Sequence, residues 1–98
     1  MAQLIWSRRA VRDLQEACEY IARTSDRYAR VFAAEVVALI ESIPERPHLG
    51  GVVPEYERED IRERLYHNYR IVYRLREDAI EIVAISHGAR LLPPTLPN

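Results

Sequence analysis

Apolar residues recur at helical spacing through the first half of the chain and at strand spacing through the second. Residues Gln3 to Trp6 read as a short strand. Ser7, directly after them, suits a helix N-cap, because its short hydroxyl can accept a hydrogen bond from a free N–H of the first turn. Val11, Leu14, Cys18 and Ile21 then return every three or four residues, while Arg12, Asp13, Glu16 and Glu19 take the other faces. This pattern predicts a helix over 8–24 and places Cys18 on its buried stripe. Thr24, Ser25 and Asp26 break the pattern, and Ser25 or Asp26 can cap a second helix. Its stripe of Tyr28, Phe32, Val36, Leu39, Ile40 and Ile43 is wide, and Pro44 and Pro47 stop it. So short a break between two amphipathic helices predicts an antiparallel hairpin.

Residues 44–60 contain three prolines, two glycines and several acids. They read as a loop longer than most connections in a compact domain, which makes it a place to look for function. Beyond it the period becomes two. Ile61, Glu63 and Leu65 point one way, and Arg62, Arg64 and Tyr66 the other. His67-Asn68 reads as a turn, and Tyr69 to Leu75 as a strand with Arg70, Val72 and Arg74 on one face. Glu77-Asp78 is a second turn. Ile80 to Ile85 is almost continuously apolar, as in a strand buried on both faces. The tail from Leu91 to Asn98 holds three prolines and is not helical. The order predicts one α+β domain over residues 1–98: an N-terminal strand, a two-helix antiparallel hairpin, then a three-stranded antiparallel meander. The helices cover one face of the sheet, and the first strand lies along one edge.

Composition narrows the setting. Ninety-eight residues suit a single domain. The one cysteine precludes an intrachain disulfide and fits a reducing compartment. The N-terminus has no apolar run long enough for a signal peptide, and no segment approaches the roughly 18 apolar residues of a membrane span. The expected location is the cytoplasm, with no membrane partner. A net charge of −1 argues against a general nucleic-acid binder. All 14 basic residues are arginine, so no lysine can serve as a tunable base and every one of these side chains stays protonated.

The candidate chemistry lies in the second half. If the strands over 61–66 and 69–75 form a hairpin, Arg62, Arg64 and Arg70 can point to one sheet face, away from the helices, with Arg90 reaching the same end. Four guanidinium groups there would make a phosphate or carboxylate site. The same residues also fit a solvated face paired with Glu57, Glu59, Asp60 and Glu63. His87 closes a strand and can either move protons near neutral pH or bond to a turn. His48, His67 and His87 lack metal-ligand spacing and Cys18 is on the core stripe, so no metal is expected. No glycine-rich phosphate loop or nucleophile elbow is present, and Ser86 and His87 point to opposite faces of their strand. Tyr66, Tyr69 and Tyr73 suit base stacking or core packing.

Three segments, Ile61-Arg-Glu-Arg-Leu65, Tyr69-Arg-Ile-Val-Tyr73 and Ile85-Ser-His-Gly-Ala-Arg90, resemble the C-terminal strands of the RelE/ParE toxin superfamily. The Ser-Arg-Arg-Ala start and the two helices before a Gly/Val-Pro-Glu loop resemble it too, so the likeness spans nearly the whole chain. It implies a toxin of a type II toxin–antitoxin system, held by a cognate antitoxin, with roles in growth inhibition and plasmid stabilisation. The RelE branch implies metal-independent cleavage of messenger RNA on the ribosome, with Arg62, Arg64, Arg70 and Arg90 at its basic positions. In that branch Arg70, Arg90 and His87 would be catalytic, and Arg70→Ala would abolish cleavage with the fold intact. Its C-terminal tyrosine would fall near Leu96, which is not a tyrosine. The His-Gly-Ala-Arg ending is closer to the ParE branch, which implies inhibition of DNA gyrase and no cofactor. There some of the four arginines would pair with loop acids such as Glu55 or Glu57, or with the antitoxin.

Overall fold

A computed structural model describes residues 2–94. Strand β1 (Gln3–Trp6) leads through Ser7 into helix α1 (Arg8–Ala22). The Ser7 hydroxyl accepts from the Ala10 N–H at 2.9 Å and donates to the Val83 carbonyl at 2.9 Å, so one side chain caps the helix and ties it to the sheet. The helix buries Ala10 and Ala17; Leu14, Cys18 and Ile21 are half-buried, and Val11 is exposed. The inward stripe is therefore rotated from the expected one. Alanines seven residues apart let the helix backbone approach the sheet, which leaves Val11 over the side. Cys18 sits at the margin of the core, and burial pushes its thiol pKa up. A thiol reagent is expected to label the native protein far more slowly than the unfolded chain; equal rates in a timed mass-spectrometric assay would contradict this packing.

Ser25 caps helix α2 (Asp26–Ser42), accepting from the Tyr28 N–H at 3.0 Å. Phe32, Val36 and Ile40 face the core. A single 3-10 turn (Ile43–Glu45) carries Pro44 early in it and ends the hairpin.

The sheet has five strands, in the order β1-β5-β4-β3-β2. Strand β2 (Gly51–Val52) lies inside the stretch that reads as loop, because two residues are too few to show a period. Strands β3 (Ile61–Tyr66), β4 (Tyr69–Leu75) and β5 (Ala79–His87) form the antiparallel meander, and β1 runs parallel to β5 on its outer edge. The sheet is thus mixed. A register shift between β4 and β5 places Val72 opposite Ala84 and Tyr73 opposite Ile82, so Val83 is an extra residue. Ile80, Ile82 and Ile85 join the core under the helices, whereas Val83 and Ala84 pack on the other face. The unbroken apolar run of β5 follows from this double burial.

The face away from the helices has its own apolar cluster of Val53, Ile61, Val72, Val83, Ala84 and Leu92. The loop after β2 and the segment after β5 both contribute to it, and the Tyr56 hydroxyl donates to the Pro93 carbonyl at 2.6 Å. On the helix side, the fully buried Tyr73 donates its hydroxyl to the Pro47 carbonyl at 2.7 Å and accepts from the Gly50 N–H at 3.2 Å. A Cβ at Gly50 would lie 2.5 Å from both the Glu63 carbonyl oxygen and the Tyr73 hydroxyl oxygen. Gly50→Ala is therefore expected to destabilise by about 1–3 kcal/mol, read from urea denaturation, because backbone must move to admit one methyl group.

Candidate functional site

The hairpin register divides the four arginines. Only His67 and Asn68 separate β3 from β4, and Tyr66 pairs with Tyr69. Directly opposed residues share a face, so Arg62 lies with Tyr73 and Arg64 with Ile71 on the helix side, while Arg70 lies with Leu65 on the opposite side. The expectation of three arginines on one face is overturned by this parity. Arg62 is taken up at the edge of the sheet: its guanidinium donates to the carbonyls of Glu59 and Gly50, both at 3.0 Å, and to the Glu59 carboxylate at 2.7 Å. Arg64 has no side-chain hydrogen bond or ion pair among the described residues.

Arg70 is the centre of a half-buried ion network. Its two terminal nitrogens reach the two Glu55 oxygens at 2.7 Å each, and its Nε reaches Glu63 at 2.6 Å. The three side chains are 11%, 17% and 16% exposed. Glu55 also accepts from the Leu92 N–H at 3.2 Å, so one carboxylate fixes both the loop and the C-terminal segment to β4. The hydrogen bonds from Arg70 hold the Glu55 carboxyl down at about 2, and the same pairing raises Arg70. Glu55 thus takes the terminal fork of Arg70 and Glu63 its Nε, which engages three of the five N–H donors and neutralises the charge that would grip a phosphate. Glu57, the other acid expected in that role, is exposed and makes no ion pair among the described residues.

His87 and Arg90 come together elsewhere. They line a groove of about 640 Å³ between the C-terminal half of α1 and the end of β5, with Asp13, Glu16, Glu19, Tyr20, Arg23 and Tyr69 among its walls. His87 stacks edge-on to Tyr69, with ring centroids 5.5 Å apart, and Tyr69 in turn meets Phe32 at 5.0 Å. Tyr66 also packs on Phe32, at 5.6 Å, and donates its hydroxyl to Glu35 on α2, which pushes its pKa up to about 12. Asp13 accepts from the Ile85 N–H at 2.9 Å, satisfying the β5 edge beyond the reach of β1. The α1 residues of the groove were not singled out in the sequence, where Asp13, Glu16 and Glu19 read only as the polar side of a helix. The spacing of Ala10 and Ala17 was the signal that this side faces β5. Among the described residues no group of three His, Cys, Asp or Glu side chains is placed to hold a metal ion, and no helix is long and apolar enough to cross a membrane. The position near Leu96 lies outside the described residues.

The fold, a two-helix hairpin on a five-stranded mixed sheet, is shared with solved structures. In the Pseudomonas aeruginosa chromosomal ParDE system a chain matches with a TM-score of 0.74 at 20% identity, over 89% of this chain and 96% of that one. The YoeB dimer of Staphylococcus aureus matches with a TM-score of 0.59 at 17% identity, over 88% and 95%. In sequence, Toxin RelE2 of Caulobacter vibrioides is 32% identical over 91 residues, which are 93% of this chain and 100% of that protein. The family model for the ParE toxin of the type II toxin–antitoxin system parDE matches residues 4–92. The chain belongs to this ParE toxin family, within the RelE/ParE superfamily, and is a type II toxin.

Proposed function

We propose that this toxin acts in the manner of the ParE branch, by binding a protein target, DNA gyrase, and not by cutting RNA. The observation that carries the reading is the state of Arg70. The guanidinium best placed by the sheet to stabilise a scissile phosphate already pairs with two carboxylates, Glu55 and Glu63, through three of its five N–H donors, so its charge is committed within the protein. Arg62 and Arg64 lie on the other face, so the three strand arginines do not converge on one phosphate. Metal and cofactor play no part in this reading. The toxin works in the cytoplasm, where a cognate antitoxin neutralises it.

One observation favours a second reading. One relative, 32% identical, is named RelE2, and His87 and Arg90 share an open groove with Tyr69. A metal-independent, ribosome-dependent messenger-RNA endonuclease would use His87 as proton donor and Arg90 for charge, with Arg62, Arg64 and Arg70 as substrate-binding positions. Two assays on the purified wild-type toxin separate the readings: supercoiling by gyrase, and primer extension on messenger RNA from translating ribosomes. Gyrase inhibition with intact messenger RNA is the expected result. Cut messenger RNA with normal supercoiling would replace the first reading by the second.

A further inference from the structure

We infer that Arg74 and Arg76, on the sheet face away from the helices, form a binding site for a singly charged oxyanion, a carboxylate or a monobasic phosphate. The site goes beyond the choice between gyrase and ribosome and stands under either reading.

Strand parity puts the two side chains on one face, at the end of β4 and just past it. Arg74 belongs to a row of opposed residues that crosses the sheet: Ile61 on β3, Arg74, Glu81 on β5 and Ile5 on β1. The extra residue Val83 sets this row, since without it Arg74 would oppose Ile82 and meet no acid. Two guanidinium groups then compete for one carboxylate. Arg76 takes it, donating from Nε and Nη2 to the Glu81 Oε1 at 3.1 and 2.8 Å. The Arg74 Nε stays 3.9 Å from the same oxygen, beyond hydrogen-bonding distance. The next acid, Asp60, is held by Arg58 at 3.0 and 2.7 Å. The Arg74 side chain is 12% exposed, its Nε is buried, and it makes no hydrogen bond among the described residues.

A buried donor without an acceptor is costly, and native proteins satisfy such groups with protein, water or a bound ion. Water would satisfy the N–H and leave the charge uncompensated. An oxyanion does both, because a guanidinium donates paired hydrogen bonds to carboxylate and phosphate. Local charge sets the valence. Arg74 and Arg76 against Glu81 leave one positive charge, and Glu77 and Asp78 stand exposed in the turn beyond. A dianion or a polyanion would therefore meet net repulsion. Ile5 is 44% exposed at the end of the row, so that side of the site is open.

The test uses isotope-labelled full-length toxin at about pH 5.5, where phosphate is mainly monobasic and the carboxylates are ionised. Sodium acetate and sodium phosphate are titrated separately against chloride at constant ionic strength, and the arginine Nε–Hε cross-peaks are followed by NMR. The Arg74 peak, assigned by its loss in Arg74→Lys, is expected to shift saturably, while that of the exposed Arg23 does not saturate. Arg76→Met, at a side chain 49% exposed, frees Glu81 to bond Arg74 and should weaken anion binding at least about tenfold. Glu81→Gln leaves two unopposed guanidinium groups and should tighten it by about tenfold. Saturation with both anions assigns any singly charged oxyanion, and saturation with one alone assigns that one. An Arg74 peak that neither anion moves would overturn the site and leave water as the acceptor. Affinity unchanged in both Arg76→Met and Glu81→Gln would overturn it as well, because the shift would then arise elsewhere.

Discussion

Arg70→Ala is expected to destabilise the folded toxin by about 2–4 kcal/mol, a large share of the stability of a domain of this size, because it strands two half-buried carboxylates. Glu55 and Glu63 are 17% and 16% exposed, and each has its principal charged contact in Arg70. Removing the guanidinium leaves two negative charges close together in a poorly solvated place. The loop and the segment around Leu92 then lose the group that pins them to β4. Urea denaturation gives the number. The triple change Glu55→Leu, Arg70→Met, Glu63→Leu should recover most of the loss, since a buried ion network is often matched by apolar residues of similar volume. A loss under about 1 kcal/mol in Arg70→Ala would mean that the network is solvated and contributes like a surface pair. This also changes how an inactive Arg70→Ala toxin is read. Loss of toxicity there reports lost folding unless the melting transition is shown to be intact.

The architecture was legible in the sequence because each element left a mark longer than one period. Ser7 and Ser25 each stand just before a helix and each caps one. Tyr69 to Leu75 is rich in the Tyr, Ile and Val that favour strands, and the two-residue turn at His67-Asn68 is where expected. Strand β2 was hidden because a two-residue pairing has no period. The helix 1 stripe was misplaced because alanine contributes little to an apolar pattern, yet permits the closest approach of helix to sheet. The arginine cluster failed for a reason the sequence itself contained. Across a two-residue hairpin the paired numbers sum to 135, so even-numbered Arg62 and Arg64 oppose odd-numbered residues, and even-numbered Arg70 opposes Leu65. Alternation fixes the faces within one strand, whereas the register across the turn decides which faces two strands share. That Glu55 meets Arg70 was foreseen only as one option, because no local pattern says where a proline-containing loop will fold back. Its position is set by Val53 and Leu92 joining the apolar cluster on that face.

The acid response of the toxin should carry the signature of Glu55. Its carboxyl is held down at about 2, first by the hydrogen bonds from Arg70 and also by the Leu92 N–H, against an ordinary value of 4.5. A depressed carboxylate binds fewer protons folded than unfolded, so stability rises with pH across the interval between the two values. The contribution is fully present above about pH 4.5 and is lost as the pH falls toward about 2. Asp60 is also lowered by its Arg58 partner, but that pair is 59% and 39% exposed and adds little. The unfolding free energy of the wild type should therefore be flat near neutrality with respect to this group and drop steeply from about pH 4.5 to 2. Glu55→Gln should be less stable than wild type at pH 7, because Arg70 loses one of its two charged partners, and its curve should be flatter in the acid range. The two proteins should converge at the lowest pH, where the wild-type carboxyl is also neutral. Parallel curves with a constant offset would show that Glu55 titrates alike in the folded and unfolded chain, and that Arg70 does not hold its proton off.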